Sequence, residues 1–345
     1  MDNNTEYEKK KMSKGTKVLL IIVGILVGLA LLLAATVMIL MNVGKKSMTD
    51  DGGGMNITVS GAENQGGGTL RYNGKLYRYN DSISSILLMG IDEAQKSEEA
   101  EFGGSTQSDV NVLAVLDPLN KKLTLIAISR DTMCEFEVLD DEGNSKGMAN
   151  AQLALAYSYG DGAERSCELT KDAVSRRFFD LKIPGYGSIY INGICDLVDI
   201  VGGVTVTAKD NYYPFVKGKP VELNGTLAQR YIQYRNYDVE GNNDRMQRQS
   251  QVLMGLVNKA LDCAREDPLS LLDIYGAVQD NVTTNLNTAN IVFLAKQAVG
   301  LHFDGEIHYV PGHSEMGEQK HAVYVVDEDA FFQLILDTFY IPIDG

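Results

Sequence analysis

The chain has 345 residues, of which 44 % are hydrophobic and 22 % are charged. These proportions exclude a disordered chain and a multi-span membrane protein, and the length allows a large hydrophobic core. The formal net charge is −15, from 31 Lys and Arg against 46 Asp and Glu, which argues against a nucleic-acid partner bound on a broad basic face. The four cysteines lack zinc-site spacing and are too few for a disulfide scaffold, although Cys134 and Cys167 are candidates for one disulfide.

The first predicted element is a membrane-spanning helix at 18–41, a stretch without a charged side chain. Such a helix is about 36 Å long, which is enough to cross a bilayer. Lysines outnumber acidic residues in the preceding 1–17, which predicts a cytoplasmic N-terminus. A cleaved signal peptide is the alternative, but its apolar region would be shorter. We therefore expect a single-pass signal-anchor in the cell membrane, with the rest of the chain extracellular.

Glycine, aspartate and asparagine are abundant at 44–68, just after this span. This composition is typical of a flexible linker, and we assign 42–79 to one. From there, 80–345 is expected to form a single extracellular domain.

Within that domain, short apolar runs alternate with segments of helical periodicity. This interleaving predicts an α/β fold, a three-layer α-β-α sandwich around a mixed central sheet. The expected strands are 85–91, 110–116, 123–128, 188–191, 204–207 and 306–310, and the expected helices are 149–159, 163–179, 193–201, 226–234, 245–264, 268–280, 288–299 and 328–339.

Two aspartates stand at the ends of expected strands. Asp92 directly follows the run at 85–91, and Asp109 directly precedes the run at 110–116. In α/β sheets, ligand groups collect at strand ends and in the loops between them. Two carboxylates there suit Mg²⁺, which proteins bind through one or two carboxylates together with substrate phosphate oxygens. The alternative is that each aspartate only caps a turn.

A charged pair, Arg130 and Asp131, follows the expected strand at 123–128. If the pair lies beside Asp92 and Asp109, the arginine is suited to bind phosphate and the aspartate to orient it. The alternative is a surface ion pair without further function.

A second cationic group is predicted at the start of a helix. With Asn243 or Asp244 as its N-cap, Arg245, Arg248 and Gln249 lie on one face of the first turn. Free amides and two guanidinium groups form an anion site there. The alternative is that both arginines pair with nearby acidic side chains.

Taken in order, these motifs resemble the LytR-CpsA-Psr family of membrane-anchored cell-envelope proteins. The resemblance covers about 80–265 and depends on the ordered set, since each motif alone is weak. Besides the N-terminal span, the motifs are Leu87-Leu88-Met89-Gly90-Ile91-Asp92, Ser108-Asp109, Ser129-Arg130-Asp131-Thr132, Asp199-Ile200-Val201-Gly202-Gly203-Val204, and Leu223-Asn224-Gly225 through Ala228, Tyr231 and Tyr234-Arg235 to Asp244-Arg245-Met246-Gln247-Arg248-Gln249.

Members of that family transfer glycopolymers from an undecaprenyl-pyrophosphate carrier to peptidoglycan, and an α/β sandwich holds the lipid in a hydrophobic groove. The resemblance implies a Mg²⁺ cofactor on Asp92 and Asp109, and it implies that Asp109 or Asp131 accepts the proton of the acceptor hydroxyl. Positioning and charge neutralisation supply most of such a phosphoryl transfer. The implied partners are the carrier-linked glycan, peptidoglycan and membrane lipid. The implied phosphate-binding residues are Arg130, Arg235, Arg245, Arg248 and Gln249.

Three positions depart from the family pattern. Ser129 stands where proline is usual, Val110 where threonine is usual, and Gln233 where the first arginine of an Arg-x-Arg pair is usual. Val110 and Gln233 motivate one alternative function, a non-catalytic polyprenyl-phosphate-binding scaffold or sensor. Another is a polyprenyl pyrophosphatase, for which water is a sufficient acceptor.

Overall fold

Strands and helices alternate along most of the chain. The computed structural model describes residues 35–49, 54–91, 93, 106–234, 241–317 and 321–343, with only the helical backbone at 241–246. The strands are β1 (Ala62–Gly66), β2 (Thr69–Tyr72), β3 (Lys75–Tyr79), β4 (Ser84–Ile91), β5 (Ser108–Asp117), β6 (Lys122–Ile128), β7 (Met133–Leu139), β8 (Ser145–Gln152), β9 (Gly185–Tyr190), β10 (Val204–Thr207), β11 (Pro220–Leu223), β12 (Val282–Thr284), β13 (His302–Tyr309), β14 (Gly312–Met316), β15 (Ala322–Val326) and β16 (Tyr340–Ile343). The helices are α1 (35–48), α2 (Leu153–Ser158), α3 (Glu164–Arg177), α4 (Ile191–Ile200), α5 (Gly225–Gln233), α6 (Gly241–Glu266), α7 (Ser270–Val278), α8 (Thr288–Ala298) and α9 (Glu328–Phe339), with a 3₁₀ turn at Gln279–Asn281.

The central sheet has six strands in the order β12-β9-β4-β5-β6-β13. The pairs β4–β9 and β6–β13 are parallel, and the other three are antiparallel. The tight connection between β5 and β6 is held by Asp117, whose Oδ1 accepts hydrogen bonds from the backbone amides of Leu119 and Asn120. The predicted mixed sheet and this hairpin are confirmed.

Helices cover both faces of this sheet because its strands are apolar on both sides. Along β4, Leu87 and Met89 pack into one hydrophobic layer, while Ile86 and Leu88 pack into the other. The first layer contains side chains of α2, α3 and α9, and the second contains side chains of α6 and α8. This arrangement agrees with the expected sandwich. A third apolar cluster joins α4, α5, β10 and the middle of α6.

The segment expected to be a linker, 42–79, contains a folded part. Strands β1, β2 and β3 form an antiparallel sheet that β16 completes from the other end of the chain. Leu70 and Tyr79 are buried in the main core. The glycines at 66–68, which suggested flexibility, adopt positive φ angles in the turn between β1 and β2, a conformation that glycine adopts readily.

The helix expected at 149–159 is shorter in the structure. Residues 149–152 belong to β8, which pairs with β7, and α2 begins only at Leu153. The error arose because alanine-rich segments fit helical periodicity, whereas here cross-strand pairing with β7 determines the conformation.

The helix α1 covers the last residues of the expected membrane span. It packs on α8 at Gly44, where a Cβ would lie 2.3 Å from the carbonyl oxygen of Ala289. No helix in the described part of the chain is long and apolar enough to span a membrane. Residues 18–34 of the expected span lie outside that part. Cys134 and Cys167 are both buried and are not joined by a disulfide, so the candidate bridge between them is not formed.

Candidate functional site

Three strand ends meet at one end of the central sheet. The last residue of β4, Ile91, pairs with Ser108 at the start of β5, and Asn111 of β5 pairs with Ile128 at the end of β6. Residues that directly follow or begin these strands are therefore brought together. This places Asp109 next to Arg130, which meets part of the condition stated for a phosphate-binding role of the arginine. Asp92 directly follows β4 but lies outside the described residues.

Arg130 is the centre of this group. Its Nη1 donates to the carboxylate of Asp109, and its Nη2 donates to Gln107 Oε1 at 2.6 Å. Its Nε lies 3.9 Å from Asp131 Oδ1. The side chain of Arg130 is 35 % exposed and that of Asp109 is 9 % exposed, so the guanidinium group faces both the protein and solvent.

Asp131 has a separate environment. Its Oδ1 accepts a hydrogen bond of 3.1 Å from Gln152 Nε2. Partial burial raises the pKa of Asp131, the charge of Asp109 raises it further, and Arg130 and Gln152 act in the opposite direction. A carboxyl group whose pKa is raised holds a proton more tightly, which suits a general base. Sequence reasoning missed Gln107 and Gln152, since a lone glutamine carries no motif.

The predicted anion site at a helix start is wrong in its geometry. Helix α6 begins at Gly241, so Asn243 and Asp244 lie inside the helix and neither is its N-cap. Arg248 therefore lies beyond the first turn. The prediction failed because the polar residues preceding Arg245 contain no helix breaker, and the helix extends through them.

Arg248 is fully buried and bound by protein groups. Its Nη1 donates to Asp210, and its Nη2 donates to the carbonyl oxygen of Tyr234. Its guanidinium carbon lies 5.2 Å from the centre of the Tyr234 ring, which in turn stacks on Tyr212 at 3.6 Å. Gln249 is half-buried beside it. The residue Arg235 and the side chain of Arg245 lie outside the described part.

The first half of α6 lies near the same end of the sheet as Arg130. Ser250 of α6 shares a hydrogen bond of 3.2 Å with the hydroxyl of Tyr309, at the end of β13. Tyr309 pairs with Ala127 of β6, and Arg130 follows soon after the end of that strand. Arg248 and Gln249 directly precede Ser250, so the structure brings the two predicted groups to one end of the sheet.

Other motif residues have structural roles. Gly225 donates its backbone amide to Asp199 Oδ1 at 2.7 Å, and a Cβ at this glycine would lie 2.5 Å from the carbonyl oxygen of Cys195. The side chain of Asn224 caps α5 by accepting from the amide of Leu227. These contacts fix the start of α5 against α4.

The donor set at the strand ends fits the magnesium ion that the resemblance implies. Mg²⁺ is held by one or two carboxylates and completes its shell with water and phosphate oxygens. Asp109 and Asp131 supply carboxylates there, close enough for the charge of one to raise the pKa of the other. No cluster of three or more His, Cys, Asp or Glu suited to a metal occurs in the described residues, and magnesium does not require one.

Comparisons with known proteins agree with this architecture. The family model described as the LytR_cpsA_psr family matches residues 45–336. A polyisoprenyl-teichoic acid–peptidoglycan teichoic acid transferase TagU of Enterococcus faecalis is 31 % identical over 80 % of this chain and 81 % of its own. Biofilm regulatory protein A of Streptococcus mutans is 29 % identical over 60 % of this chain and 50 % of its own. A crystal structure of a Streptococcus agalactiae protein has a TM-score of 0.60 and 25 % identity, and the match covers 74 % of this chain and 86 % of that one. The chain therefore belongs to the LytR-CpsA-Psr family.

Proposed function

We propose that the protein transfers a glycopolymer of the teichoic-acid or capsule type from a polyisoprenyl-pyrophosphate carrier to peptidoglycan. The observation that carries the proposal is the group of Asp109, Arg130 and Asp131 at the end of the central sheet in a member of this family. The TagU transferase of Enterococcus faecalis, which aligns with four fifths of the chain, supports the same enzyme class.

In the proposed reaction, an acceptor hydroxyl attacks the phosphorus that carries the glycan. A new P–O bond forms to the acceptor, the bridging P–O bond of the diphosphate breaks, and the carrier leaves as polyprenyl phosphate. The acceptor proton passes to a carboxylate, for which Asp131 is better suited than Asp109. The reason is that its pKa is raised, whereas Asp109 is held by the guanidinium of Arg130.

Arg130 supplies positive charge where negative charge develops on the phosphoryl oxygens. Its planar guanidinium is held in place by two oxygens, Asp109 Oδ1 and Gln107 Oε1, so it needs little reorganisation during the reaction. Asp109 and Asp92 would hold the magnesium ion, whose charge would neutralise further phosphate charge.

We place the protein in the cell membrane, with residues 1–17 in the cytoplasm, the span at 18–41 and the α/β domain outside. The charge pattern of the N-terminal residues supports this orientation. The membrane location is supported by exposed apolar residues of α1, Met38 and Ile39 within the expected span and Val43 just after it.

A binding role without catalysis is the second candidate. It is favoured by the engagement of Arg248 with Asp210 and Tyr234, which withdraws one predicted phosphate ligand from the surface. It is also favoured by Gln233 at the end of α5, a position where the family pattern has an arginine.

A reconstituted assay separates the candidates. The full chain in detergent is mixed with a lipid-linked glycan diphosphate, Mg²⁺ and peptidoglycan fragments, and the joined product is measured with and without the fragments. Joined product that is lost in Asp109→Ala supports the transferase. Binding of the donor without product supports the scaffold, and release of the carrier without fragments supports a pyrophosphatase.

A further inference from the structure

A cleft of about 420 Å³ lies between the strands β7 and β15, and its lining begins at Met133, two residues after Asp131. The backbone amide of Tyr324 in β15 donates to the carbonyl oxygen of Asp131, next to a single parallel bridge between Thr132 and Tyr324. In the described part of the chain, β7 pairs further only with β8, and β15 only with β14. The residues that line the cleft are Met133, Cys134, Glu135, Asn150, Arg176, Arg177, Val323, Tyr324, Val325, Val326 and Glu328.

The charges of the cleft select a ligand of mixed charge. Arg177 pairs with Glu328 at 2.7 Å, so these two neutralise each other. Arg176 and Glu135 are both exposed, and within the described residues neither makes an ion pair. The cleft thus offers one cation and one anion to a ligand, and a polyprenyl chain can pair with neither.

The edges of the cleft suit an extended peptide. A strand edge presents backbone amides and carbonyls to a peptide-like chain, and neighbouring side chains then select its substituents. Burial raises the pKa of the Cys134 thiol to about 12, so this cysteine stays protonated and lines the cleft without reacting. The chemistry is that of a binding site rather than of a second reaction centre.

The position of the cleft connects it to the proposed chemistry. Gln152 donates to Asp131 Oδ1 at 3.1 Å and to the carbonyl oxygen of Ala322, the first residue of β15, at 2.7 Å. The lining residues come from β7, β8, β15, α3 and α9, and none comes from α6, which carries Arg248. A ligand in the cleft therefore approaches Asp131 from a different side than one bound near Arg248.

The geometry points to this cleft as the subsite for the peptide part of the peptidoglycan acceptor. Peptidoglycan carries short peptides with free carboxylates and amines, which match Arg176 and Glu135 in charge. Peptide bound there would hold the attached sugar hydroxyl next to Asp131. This inference rests on the proposed function, because only a transferase to peptidoglycan requires such an acceptor.

Acceptor binding tests the subsite without requiring turnover. The full chain is titrated with a soluble disaccharide–peptide fragment of peptidoglycan and, separately, with the same disaccharide lacking the peptide. We expect the fragment with peptide to bind at least about tenfold more tightly, and Arg176→Glu and Glu135→Lys each to remove that difference. The control Lys146→Glu reverses an exposed charge on β8 outside the cleft and is expected to bind like the parent.

Transfer kinetics provide the second measurement. Arg176→Glu is expected to raise the KM for the acceptor about tenfold while the KM for the lipid-linked donor stays unchanged. Equal binding of the two fragments by the parent, or parental affinity in Arg176→Glu, overturns the subsite even if transfer occurs. Peptide-dependent binding without any transfer would leave the subsite standing and refute the proposed function.

Discussion

Gln152 holds Asp131 by a hydrogen bond of 3.1 Å from its amide to the carboxylate. Gln152 is the last residue of β8, and its amide also reaches the carbonyl oxygen of Ala322 on β15. One side chain of β8 therefore links the proposed base to β15, one of the two strands that border the cleft. We expect Gln152→Ala to impair transfer by mispositioning Asp131, which would appear as a lower kcat with an unchanged KM for the donor.

Arg130 contributes a planar fork rather than charge alone. Arg130→Lys keeps the positive charge but cannot contact Asp109 and Gln107 together, so we expect transfer to fall by about 100-fold. Arg165→Lys is the matched control, because Arg165 likewise bridges two side chains, Glu137 and Glu168, away from the site. Full activity of Arg130→Lys would contradict the assigned role.

The raised pKa of Asp131 makes stability depend on pH. Because burial raises this pKa above its ordinary value of 3.8, the folded state binds the proton more tightly than the unfolded state does. The stability that this carboxyl group contributes is fully present at pH values below its ordinary pKa, and it is lost as the pH rises through the raised pKa of the folded state. The Tm of the parent relative to Asp131→Asn should therefore fall as the pH rises above 3.8.

Asp140 provides a control of opposite sign for this pH experiment. Backbone amides of Asn144 and Glu142 that donate to its carboxylate lower the pKa of Asp140. The Tm of the parent relative to Asp140→Asn should rise as the pH rises toward the ordinary value of 3.8 and change little above it. The same direction of change for both variants would show that the assigned shifts are wrong.

We predict that Arg248 stabilises the fold in addition to any role in the candidate site. Arg248→Ala leaves Asp210 without its buried partner, and we expect a loss of about 3–5 kcal/mol in the free energy of unfolding, measured by urea denaturation. Arg265→Ala removes only the exposed pair with Asp262 and is expected to cost less than about 1 kcal/mol. Unchanged stability of Arg248→Ala would indicate that the arginine is free to serve a ligand alone.

Gly225 is required by close packing. Gly225→Ala places a Cβ 2.5 Å from Asp199 Oδ2, and we expect it to destabilise the protein by about 1–3 kcal/mol. The control is Gly276→Ala in α7, where a Cβ would meet nothing within 4 Å and should stabilise the helix by up to about 1 kcal/mol. Thermal unfolding of both variants decides between packing and helix propensity, since propensity alone would stabilise both.

The sequence predicts well where local pattern determines structure. Continuous apolar runs identified β4, β5 and β6, and the helix at 328–339 was predicted with the bounds that α9 has. The sequence placed Asp109 and Arg130 at strand ends, and the structure brings them together because these strand ends adjoin in the sheet.

The sequence predicts poorly where distant parts of the chain decide the outcome. The strands β1 to β3 form a sheet that β16 completes by pairing with β3, and β16 lies more than 250 residues away. Because this pairing cannot be seen in the local sequence, the glycine-rich turns resembled a linker. The hydrogen-bond partners of Arg248 are Asp210 and Tyr234, both distant in sequence. No local spacing indicates that the guanidinium group is buried between them. The link from Gln152 to Asp131 likewise depends on the pairing of β7 with β8.

The mass of the joined product tests the phosphoryl transfer most directly. The full chain in detergent is given a lipid-linked glycan diphosphate, Mg²⁺ and a soluble peptidoglycan fragment, with EDTA and Asp109→Ala as parallel controls. We predict a product that contains the fragment, the glycan and one phosphate, released together with polyprenyl monophosphate and absent from both controls. A product joined without phosphate, or free glycan phosphate formed equally without the fragment, would contradict the account.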